Sequence, residues 1–436
     1  MNALLAKYAA KLAATGLCEP GDVLMAALDD ELAWSRATAS GDPRRALMEE
    51  IFAGMSISAL LLARPSGVYQ AVMAELARQA LAAGTPSITP GDCETRTFLH
   101  DLPVVDGLGN GGRGDGGLGA DGVVQALRQR KGCVIMHQGQ AFVAAFGTVS
   151  PEQAYVTFSS MCFACFVAYF AEHLRLARTG GLTPQRRSAF ARIAALLPPD
   201  RADPPDLLPG PFEDEDAARA AIIQAGRHTV EYGLVDSYFG NISYRLPSNG
   251  PGKRSETILI SQTGSSLDEL GACIDPCRMD GGSCAGITAS SEYSAHKAVY
   301  EVEQAKGGAR AILHGHPRFS VILSLDCERL DCPKQGECHR ACDTPRAVVD
   351  APAGLNIPIV PGEVGTGPFG LCHTLPQALT GTSAPPAGKG RGAIVYGHGL
   401  FTLGEVDFRD AFASLMDVEH FCRSEYFRRV ARLAAG

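Results

Sequence analysis

The chain has 436 residues, which exceeds the usual size of one domain and predicts two. Its 46% apolar content allows well-formed cores, while a net charge of −8 without any basic run excludes nucleic acid as an expected partner. Fourteen cysteines behind an N-terminus unlike a signal peptide indicate thiols or metal ligands in a reducing cytoplasm, and not a disulfide framework.

The first part of the chain, up to about residue 85, is predicted to be largely helical. Apolar residues recur with helical spacing from Leu4 onward. Asp22 follows a Pro-Gly turn and is placed to cap a second helix that carries Val23 and Leu28. A further helix is expected over residues 68–83. None of these segments contains a recognisable catalytic constellation.

Residues 154–171 form a long apolar stretch that contains no charged side chain. Its length is marginal for a membrane span. Because Thr157, Ser159 and Ser160 interrupt it, we interpret it as a helix buried in a soluble core, and we expect no membrane partner.

Two parts of the chain share one order of predicted elements: a strand, a glycine-rich loop, a short helix, a second strand and a long helix. The corresponding segments are residues 102–105, 123–127 and 134–137 in the first series, and residues 357–360, 375–379 and 394–398 in the second. We therefore predict that residues 1–200 form an α/β domain, a degenerate relative of the C-terminal module that retains its second half. Coincidence of two common β-loop-β-α units is the alternative.

The boundary between the two domains is predicted from a proline-rich segment with acidic residues. Residues 201–216 are interpreted as a linker, and a helix is expected to begin at residue 217 and to end near Gly233. Residues 217–436 then form the second domain.

A pair of histidines follows an apolar run in this second domain. His314 and His316 lie two residues apart, so on a strand both imidazoles point to one face. His398 follows another strand-like run, and Glu292 stands at the start of a predicted helix. Three histidines and a carboxylate can close a zinc site and supply a proton carrier. Two buried, hydrogen-bonded histidines are the alternative reading of the pair alone.

From about residue 212 onward the chain resembles the class II aldolase/adducin family, which includes zinc-dependent fuculose-phosphate and rhamnulose-phosphate aldolases. The segments that carry the resemblance occur in the family's order, and they are Gly240-Asn241-Ile242-Ser243-Tyr244-Arg245, Thr263-Gly264, Ser290-Ser291-Glu292, His314-Gly315-His316 and His398-Gly399. The resemblance implies a three-layer α/β/α fold around a central, largely antiparallel sheet, and a homo-oligomer, a tetramer by analogy. It does not directly explain the first 200 residues.

The same resemblance implies a role for each segment. Three loops are expected to bind a substrate phosphate, through Gly240, Asn241, Thr263, Gly264, Ser290 and Ser291. The alternative is that these residues shape turns and cap a helix. His314, His316, His398 and Glu292 are expected to bind Zn²⁺ or another divalent ion.

In the resembled aldolases the carboxylate equivalent to Glu292 also exchanges a proton, and the metal stabilises the enediolate formed when the C–C bond breaks. The predicted function is therefore a divalent-metal lyase acting on a phosphorylated ketose. The alternatives are a dehydratase or epimerase of the same family and a non-catalytic, adducin-like scaffold. Family epimerases carry aspartate at this position, so Glu292 favours an aldolase or a dehydratase. Tyr396 and Tyr426 are candidates for a tyrosine that completes the site.

One cluster departs from the family. Four cysteines lie within about sixteen positions, a density that suits a structural zinc or an iron–sulfur cluster, and they are Cys327, Cys332, Cys338 and Cys342. Four unliganded thiols in a loop are the alternative.

Overall fold

Two units make up the chain, Met1–Pro199 and Asp200–Gly436, which we call the N-terminal and the C-terminal unit. The structure is a computed structural model. It describes all residues except 37–41, 108–118, 237, 248–255, 281–288, 305–307, 335, 343, 345, 351–354, 363–366, 381–390 and 436. Most of the glycine-rich loop predicted over residues 109–122 therefore lies outside the described residues.

The N-terminal unit is an α/β fold whose described helices and strands alternate along the chain. The helices are α1 (Asn2–Ala14), α2 (Pro43–Gly54), α3 (Gly67–Ala82), α4 (Cys93–Leu99), α5 (Ala120–Gln129), α6 (Pro151–Arg178) and α7 (Pro184–Ala194). The strands are β1 (Cys18–Leu28), β2 (Leu32–Trp34), β3 (Ala59–Pro65), β4 (Ser87–Ile88), β5 (Leu102–Asp106), β6 (Gly132–His137) and β7 (Gln140–Gly147).

These strands form one sheet in the order β2-β1-β3-β7-β6-β5-β4. Neighbours are antiparallel except β5 and β6, which run parallel. Helices α2 and α5 cover one face, where their apolar side chains pack on alternate residues of the central strands, among them Leu24, Leu60 and Leu62. Helices α1, α3 and α6 pack against the sheet as a second group.

The predicted helix through Val23 and Leu28 is wrong, because this segment is strand β1. Residues 23–27 are an unbroken apolar run, and all five are almost completely buried between β2 and β3. A strand buried on both faces loses the alternation that would distinguish it from a helix. The expected helix over 68–83 is confirmed as α3, at Gly67–Ala82.

Helix α6 contains the long apolar stretch. It is long and apolar enough to cross a membrane, but 83% of its most apolar 18-residue window is buried inside the protein. Its apolar side chains therefore have protein neighbours, as expected of a core helix.

The C-terminal unit is a second α/β fold. Its described helices are α8 (Glu215–Glu231), α9 (Tyr293–Gln304), α10 (Arg318–Leu325), α11 (Cys338–Ala341), α12 (Leu371–Thr380) and α13 (Phe408–Ala435). The strands are β8 (Asn241–Leu246), β9 (Thr257–Ser261), β10 (Ile274–Arg278), β11 (Ala311–Gly315), β12 (Arg346–Asp350), β13 (Leu355–Val360), β14 (Gly392–Val395) and β15 (Gly399–Gly404).

The strand order is β10-β9-β8-β11-β15-β14-β13-β12, antiparallel throughout except between β13 and β14. Helices α9 and α12 cover one face and pack on Ile312 of β11. On the other face Gly315 of the same strand approaches Leu415 of α13. The expected layered α/β/α fold with a largely antiparallel sheet is confirmed.

The segment predicted as a linker makes specific contacts within the C-terminal unit. The backbone N–H of Gly210 donates to Asp407, and that of Phe212 donates to the Tyr244 hydroxyl. Asp200 forms an ion pair with Arg423 at 2.6 Å. These partners hold Gly210 and Phe212 to the C-terminal unit, and the assignment of residues 201–216 as a linker stays a prediction.

The two sheets share strand order and direction over seven strands, if β1 is equated with β8, β3 with β11 and β7 with β15. Gly147 ends β7 and Gly404 ends β15. At each glycine a Cβ would collide with the carbonyl oxygen of the residue three positions later, Ser150 and Asp407 respectively. The likeness extends over the strands of both halves of the module, and not over the second half alone.

Candidate metal and active site

The three histidines lie where the central strands of the C-terminal sheet end. His314 is in β11 and pairs with Asn241 of β8 on one side and Phe401 of β15 on the other. His316 follows the end of β11, and His398 lies in the turn between β14 and β15. Strand pairing therefore brings together residues more than 80 positions apart in the sequence.

One ligand atom from each of His314, His316 and His398 lies within 4.8 Å of the other two. Among the residues that the structure describes, no other His, Cys, Asp or Glu side chains form such a group. All three rings are at most 5% exposed. Burial, and then the neighbouring His314 and His398, hold the pKa of His316 well below its usual value. A neutral imidazole is the form that binds a metal, so this donor set fits a divalent ion such as zinc.

Aromatic rings and glycines fix the orientation of these histidines. Phe401 stacks on His314 with centroids 3.8 Å apart, and Phe239 stacks on His316 at 5.4 Å. A Cβ at Gly399 would come within 2.6 Å of His314 Nε2, and one at Gly240 would collide with the His314 carbonyl oxygen. The glycine in each motif thus allows close approach of the backbone to His314.

Glu292 lies immediately before α9, but its side chain points to the histidines. Its Oε2 is 2.6 Å from His314 Nδ1, and its Oε1 is 3.0 Å from His398 Nε2. Burial raises the pKa of this carboxyl, but the two histidines outweigh that effect and hold the pKa well below its usual value. A carboxylate that orients a ligand histidine is a common partner of a metal centre.

The residues expected to bind phosphate occupy two neighbouring loops and the start of β8. A bridge between Gln262 and Ala289 joins the loop with Thr263 and Gly264 to the loop with Ser290 and Ser291. Thr263, Gly264 and Ser291 are exposed, whereas Ser290 is buried. Its N–H donates to Ser261, and its hydroxyl accepts from the Glu292 N–H.

Asn241 is 6% exposed and its amide contacts Glu292 and His314. Its side chain also reaches His296 of α9, which the sequence reasoning missed. The available signal was the spacing of four residues between Glu292 and His296, which places both on one face of a helix start.

The structure does not bring the four cysteines of the predicted cluster together. None of their described thiols belongs to a group of three or more ligand atoms within 4.8 Å. The Cys338 thiol lies 3.9 Å from the Lys334 carbonyl oxygen, and that of Cys342 lies 3.7 Å from the Thr344 carbonyl oxygen. A second metal at these cysteines stays a prediction from spacing alone.

The two candidate tyrosines have different surroundings in the C-terminal unit. Tyr426 is fully buried in α13 and packs on Phe319. Burial, and then the neighbouring Cys338, raise the pKa of Tyr396 above its usual value.

Residues 220–426 match the family model described as "Class II Aldolase and Adducin N-terminal domain". No curated protein matches the chain. Among solved structures, the chain is similar to l-fuculose-1-phosphate aldolase from Thermus thermophilus, with 22% identity over 49% of this chain and 95% of that one, at a TM-score of 0.35. The chain is also similar to a sugar-phosphate aldolase from Thermotoga maritima, with 18% identity over 48% of this chain and 93% of that one, at a TM-score of 0.36. L-fuculose 1-phosphate aldolase from Glaciozyma antarctica is similar with 18% identity over 52% of this chain and 78% of that one, at a TM-score of 0.33.

Proposed function

Since residues 220–426 match the class II aldolase/adducin domain, we propose that this chain is a divalent-metal-dependent lyase that cleaves or forms a C–C bond in a phosphorylated ketose. The observation that carries the proposal is the buried group of His314, His316 and His398 with Glu292 in hydrogen-bond contact. A non-catalytic scaffold has no use for such an arrangement, because burying polar groups is unfavourable unless they are paired.

The three histidines would hold the metal. A bound divalent ion supplies a Lewis acid that polarises a carbonyl and stabilises the negative charge developing on its oxygen. The stacked rings of Phe239 and Phe401 keep two of the imidazoles in place and exclude water from one side of each.

Glu292 would exchange the proton with the substrate. Its pKa is held low, so the carboxylate is ionised and can accept a proton at Oε1 or Oε2. The two histidines that contact these oxygens also determine where they lie.

The phosphate of the substrate would bind at the two bridged loops. Exposed Thr263, Gly264 and Ser291 offer backbone N–H groups and hydroxyls beside the start of helix α9, where the helix dipole favours an anion. Gly240, Asn241 and Ser290 are assigned to the same subsite by resemblance. Gly240 and Asn241 also contact His314, so they join this subsite to the metal ligands.

A dehydratase is the second candidate, since removal of a proton beside a carbonyl needs the same metal and the same carboxylate. Glu292 supports both reactions, and an epimerase is less well supported because family epimerases carry aspartate at this position.

The test combines metal content with substrate turnover. The full chain is purified without chelator, its metal is quantified, and phosphorylated ketoses are screened for release of dihydroxyacetone phosphate. We expect about one equivalent of a divalent metal, lost in His314→Ala but kept in His137→Ala, a matched histidine at the end of a strand in the N-terminal unit. A metal-free protein without turnover would support the scaffold, whereas loss of water without C–C cleavage would support the dehydratase.

A further inference from the structure

A chain of buried polar side chains leads from Glu292 into the core between β8 and α9. Its members, each at most 6% exposed, are Glu292, Asn241, His296, Ser243 and Tyr300. Asn241 bonds both Glu292 and His296, and Ser243 bonds both His296 and Tyr300. None of these groups belongs to the three-histidine group, which only Glu292 and Asn241 of this chain contact.

The contact of Asn241 with Glu292 sets the directions of the hydrogen bonds that follow along this chain. A carboxylate only accepts, so the Asn241 NH₂ group must face Glu292 Oε2. The Asn241 carbonyl oxygen therefore faces His296 Nε2, and this nitrogen must carry the ring hydrogen. His296 Nδ1 is then an acceptor, and the Ser243 hydroxyl donates to it at 2.7 Å.

The far end of the chain is anchored to the backbone. The Tyr300 hydroxyl is 2.9 Å from Ser243 Oγ and also lies near the carbonyl oxygens of Ser243 and Arg310. Burial lowers the pKa of His296 to about 3, so its ring is neutral and keeps one donor and one acceptor. Such a ring holds the Asn241 amide in one orientation and resists its rotation.

The fold itself does not require these polar groups. In the N-terminal sheet, Leu24 of β1 pairs with Leu62 of β3, as Asn241 of β8 pairs with His314 of β11. Ala26, two residues after Leu24, occupies the register position of Ser243. All of these apolar residues are fully buried, so the same strand frame packs well without the polar chain.

We propose that His296 is a positioning residue, which acts through Asn241 to hold the carboxylate of Glu292 in place beside the metal ligands. The proposal rests on the proposed function for its effect on turnover. It does not rest on that function for the hydrogen-bond directions, which are properties of the protein alone.

The first test compares two variants of His296. His296→Leu removes the donor to Asn241 but leaves an apolar side chain of moderate size, and we expect kcat to fall about 10–100-fold, more than any rise in KM through the phosphate contact of Asn241, with the metal content unchanged. His296→Gln keeps an N–H donor and should retain kcat within about threefold of the parent. A rise in KM at constant kcat would overturn the proposal, because His296 would then support only the phosphate contact assigned to Asn241 and not the position of Glu292.

The second test is a double-mutant cycle with Asn241. If His296 acts through Asn241, His296→Leu should have no further effect on kcat in an Asn241→Ala background. Losses that multiply in the double variant would show that the two residues act independently, which contradicts the proposal.

The third test needs no turnover. In the parent protein labelled with ¹⁵N-histidine, the resonance assigned through His296→Gln should show a neutral ring with its hydrogen on Nε2. A hydrogen on Nδ1 would reverse the Asn241 amide and overturn the proposal even in an active enzyme. Conversely, an Nε2–H ring in a protein that turns over no phosphorylated ketose would leave the positioning of Glu292 intact and refute only the proposed function.

Discussion

The N-terminal and C-terminal units share one strand order over seven strands, but different kinds of side chain occupy equivalent positions. Where β1 meets β3, Leu24 faces Leu62, and where β8 meets β11, Asn241 faces His314. Both pairs are buried. Apolar packing stabilises the leucine pair, and a hydrogen bond joins Asn241 and His314. We interpret the N-terminal unit as a module of the same architecture in which apolar residues stand where the C-terminal unit carries its site.

The residues that precede the equivalent helices differ in the same way. Asp42 precedes α2 and accepts a hydrogen bond from the N–H of Arg44, as an ordinary N-cap does. Glu292 precedes α9, but its side chain bonds His314 and lies 3.0 Å from His398 Nε2. A carboxylate at a helix start is therefore not informative by itself; its partners determine whether it caps a helix or serves a site.

The comparison also shows which buried groups the fold does not need. The strand frame is stable with leucine and alanine at these positions, so the polar chain of the C-terminal unit is not needed for folding. Buried polar groups that are unnecessary for the fold are expected where they serve a site. The predictions below exchange or remove these groups, starting with the largest expected effect.

The two equivalent carboxylates should respond very differently to neutralisation. Glu292→Gln should reduce turnover about 10²–10⁴-fold while the histidine-bound metal remains, because the amide cannot take up the proton. Asp42→Asn should leave turnover unchanged and alter the free energy of unfolding by no more than about 0.5 kcal/mol, since asparagine is an equally good N-cap. Steady-state kinetics, metal analysis and denaturant unfolding measure the three quantities. A fully active Glu292→Gln protein would show that Glu292 only completes the structure.

The equivalent strand residues Leu62 and His314 should separate stability from metal binding. Leu62→Ala leaves a cavity in the core of the N-terminal unit and should lower its free energy of unfolding by about 2–5 kcal/mol. It should leave the metal content unchanged, whereas His314→Ala should abolish metal binding. Denaturant unfolding and metal analysis of both variants check this. Loss of metal in Leu62→Ala at a temperature where the protein is folded would contradict the independence of the two positions.

A buried histidine of the N-terminal unit should make that unit sensitive to acid. His173 stacks on Phe190 with centroids 3.7 Å apart, and burial, followed by Arg186 and Arg187, lowers its pKa from 6.5 to about 4. The unfolded chain binds the proton more readily, so the contribution to stability is complete above pH 6.5 and is lost as the pH falls through 4.

The matched variant is His173→Phe, which keeps an aromatic ring against Phe190 and removes the titrating group. Between pH 6.5 and 4 the parent should lose about 2 kcal/mol more free energy of unfolding than this variant. Denaturant titrations at several pH values measure the difference. If the free energy of unfolding of the parent and of the variant depended on pH in the same way, the pKa of His173 would not be lowered in the folded protein.

The C-terminal site was predictable because its chemistry depends on short spacing. The spacing of two between His314 and His316 and the glycines beside the histidines are local features that a sequence displays directly. His296 was missed, because one histidine on an amphipathic helix looks the same whether it fills a core or orients an amide. Only the packing of helix α9 on the sheet brings this ring to Asn241 of β8.

The N-terminal fold was less predictable, for a physical reason. Strand β1 is buried on both faces, so its sequence carries neither the alternation of a half-exposed strand nor a clear helical stripe. The likeness to the C-terminal unit was visible in the sequence only where short segments correspond, as at residues 134–137 and 394–398. In the first half of the module the likeness lies in strand pairing, which apolar residues can satisfy in many combinations.

The smallest effect is expected at the cysteines, where spacing and geometry disagree. Spacing alone predicts that removing two of four metal-binding thiols lowers both metal content and melting temperature. In the structure the thiols of Cys338 and Cys342 each lie beside a backbone carbonyl, and among the described residues no three of the four thiols lie within 4.8 Å of one another. Replacing both by serine should therefore change the free energy of unfolding by no more than about 0.5 kcal/mol and leave the metal content unchanged.

A Cys273→Ser, Cys372→Ser double variant is the control, because those thiols are also half-buried. Loss of one equivalent of metal from the Cys338 and Cys342 variant alone, with the histidine-bound ion retained, would establish the cysteine centre and show that the loop rearranges to form it.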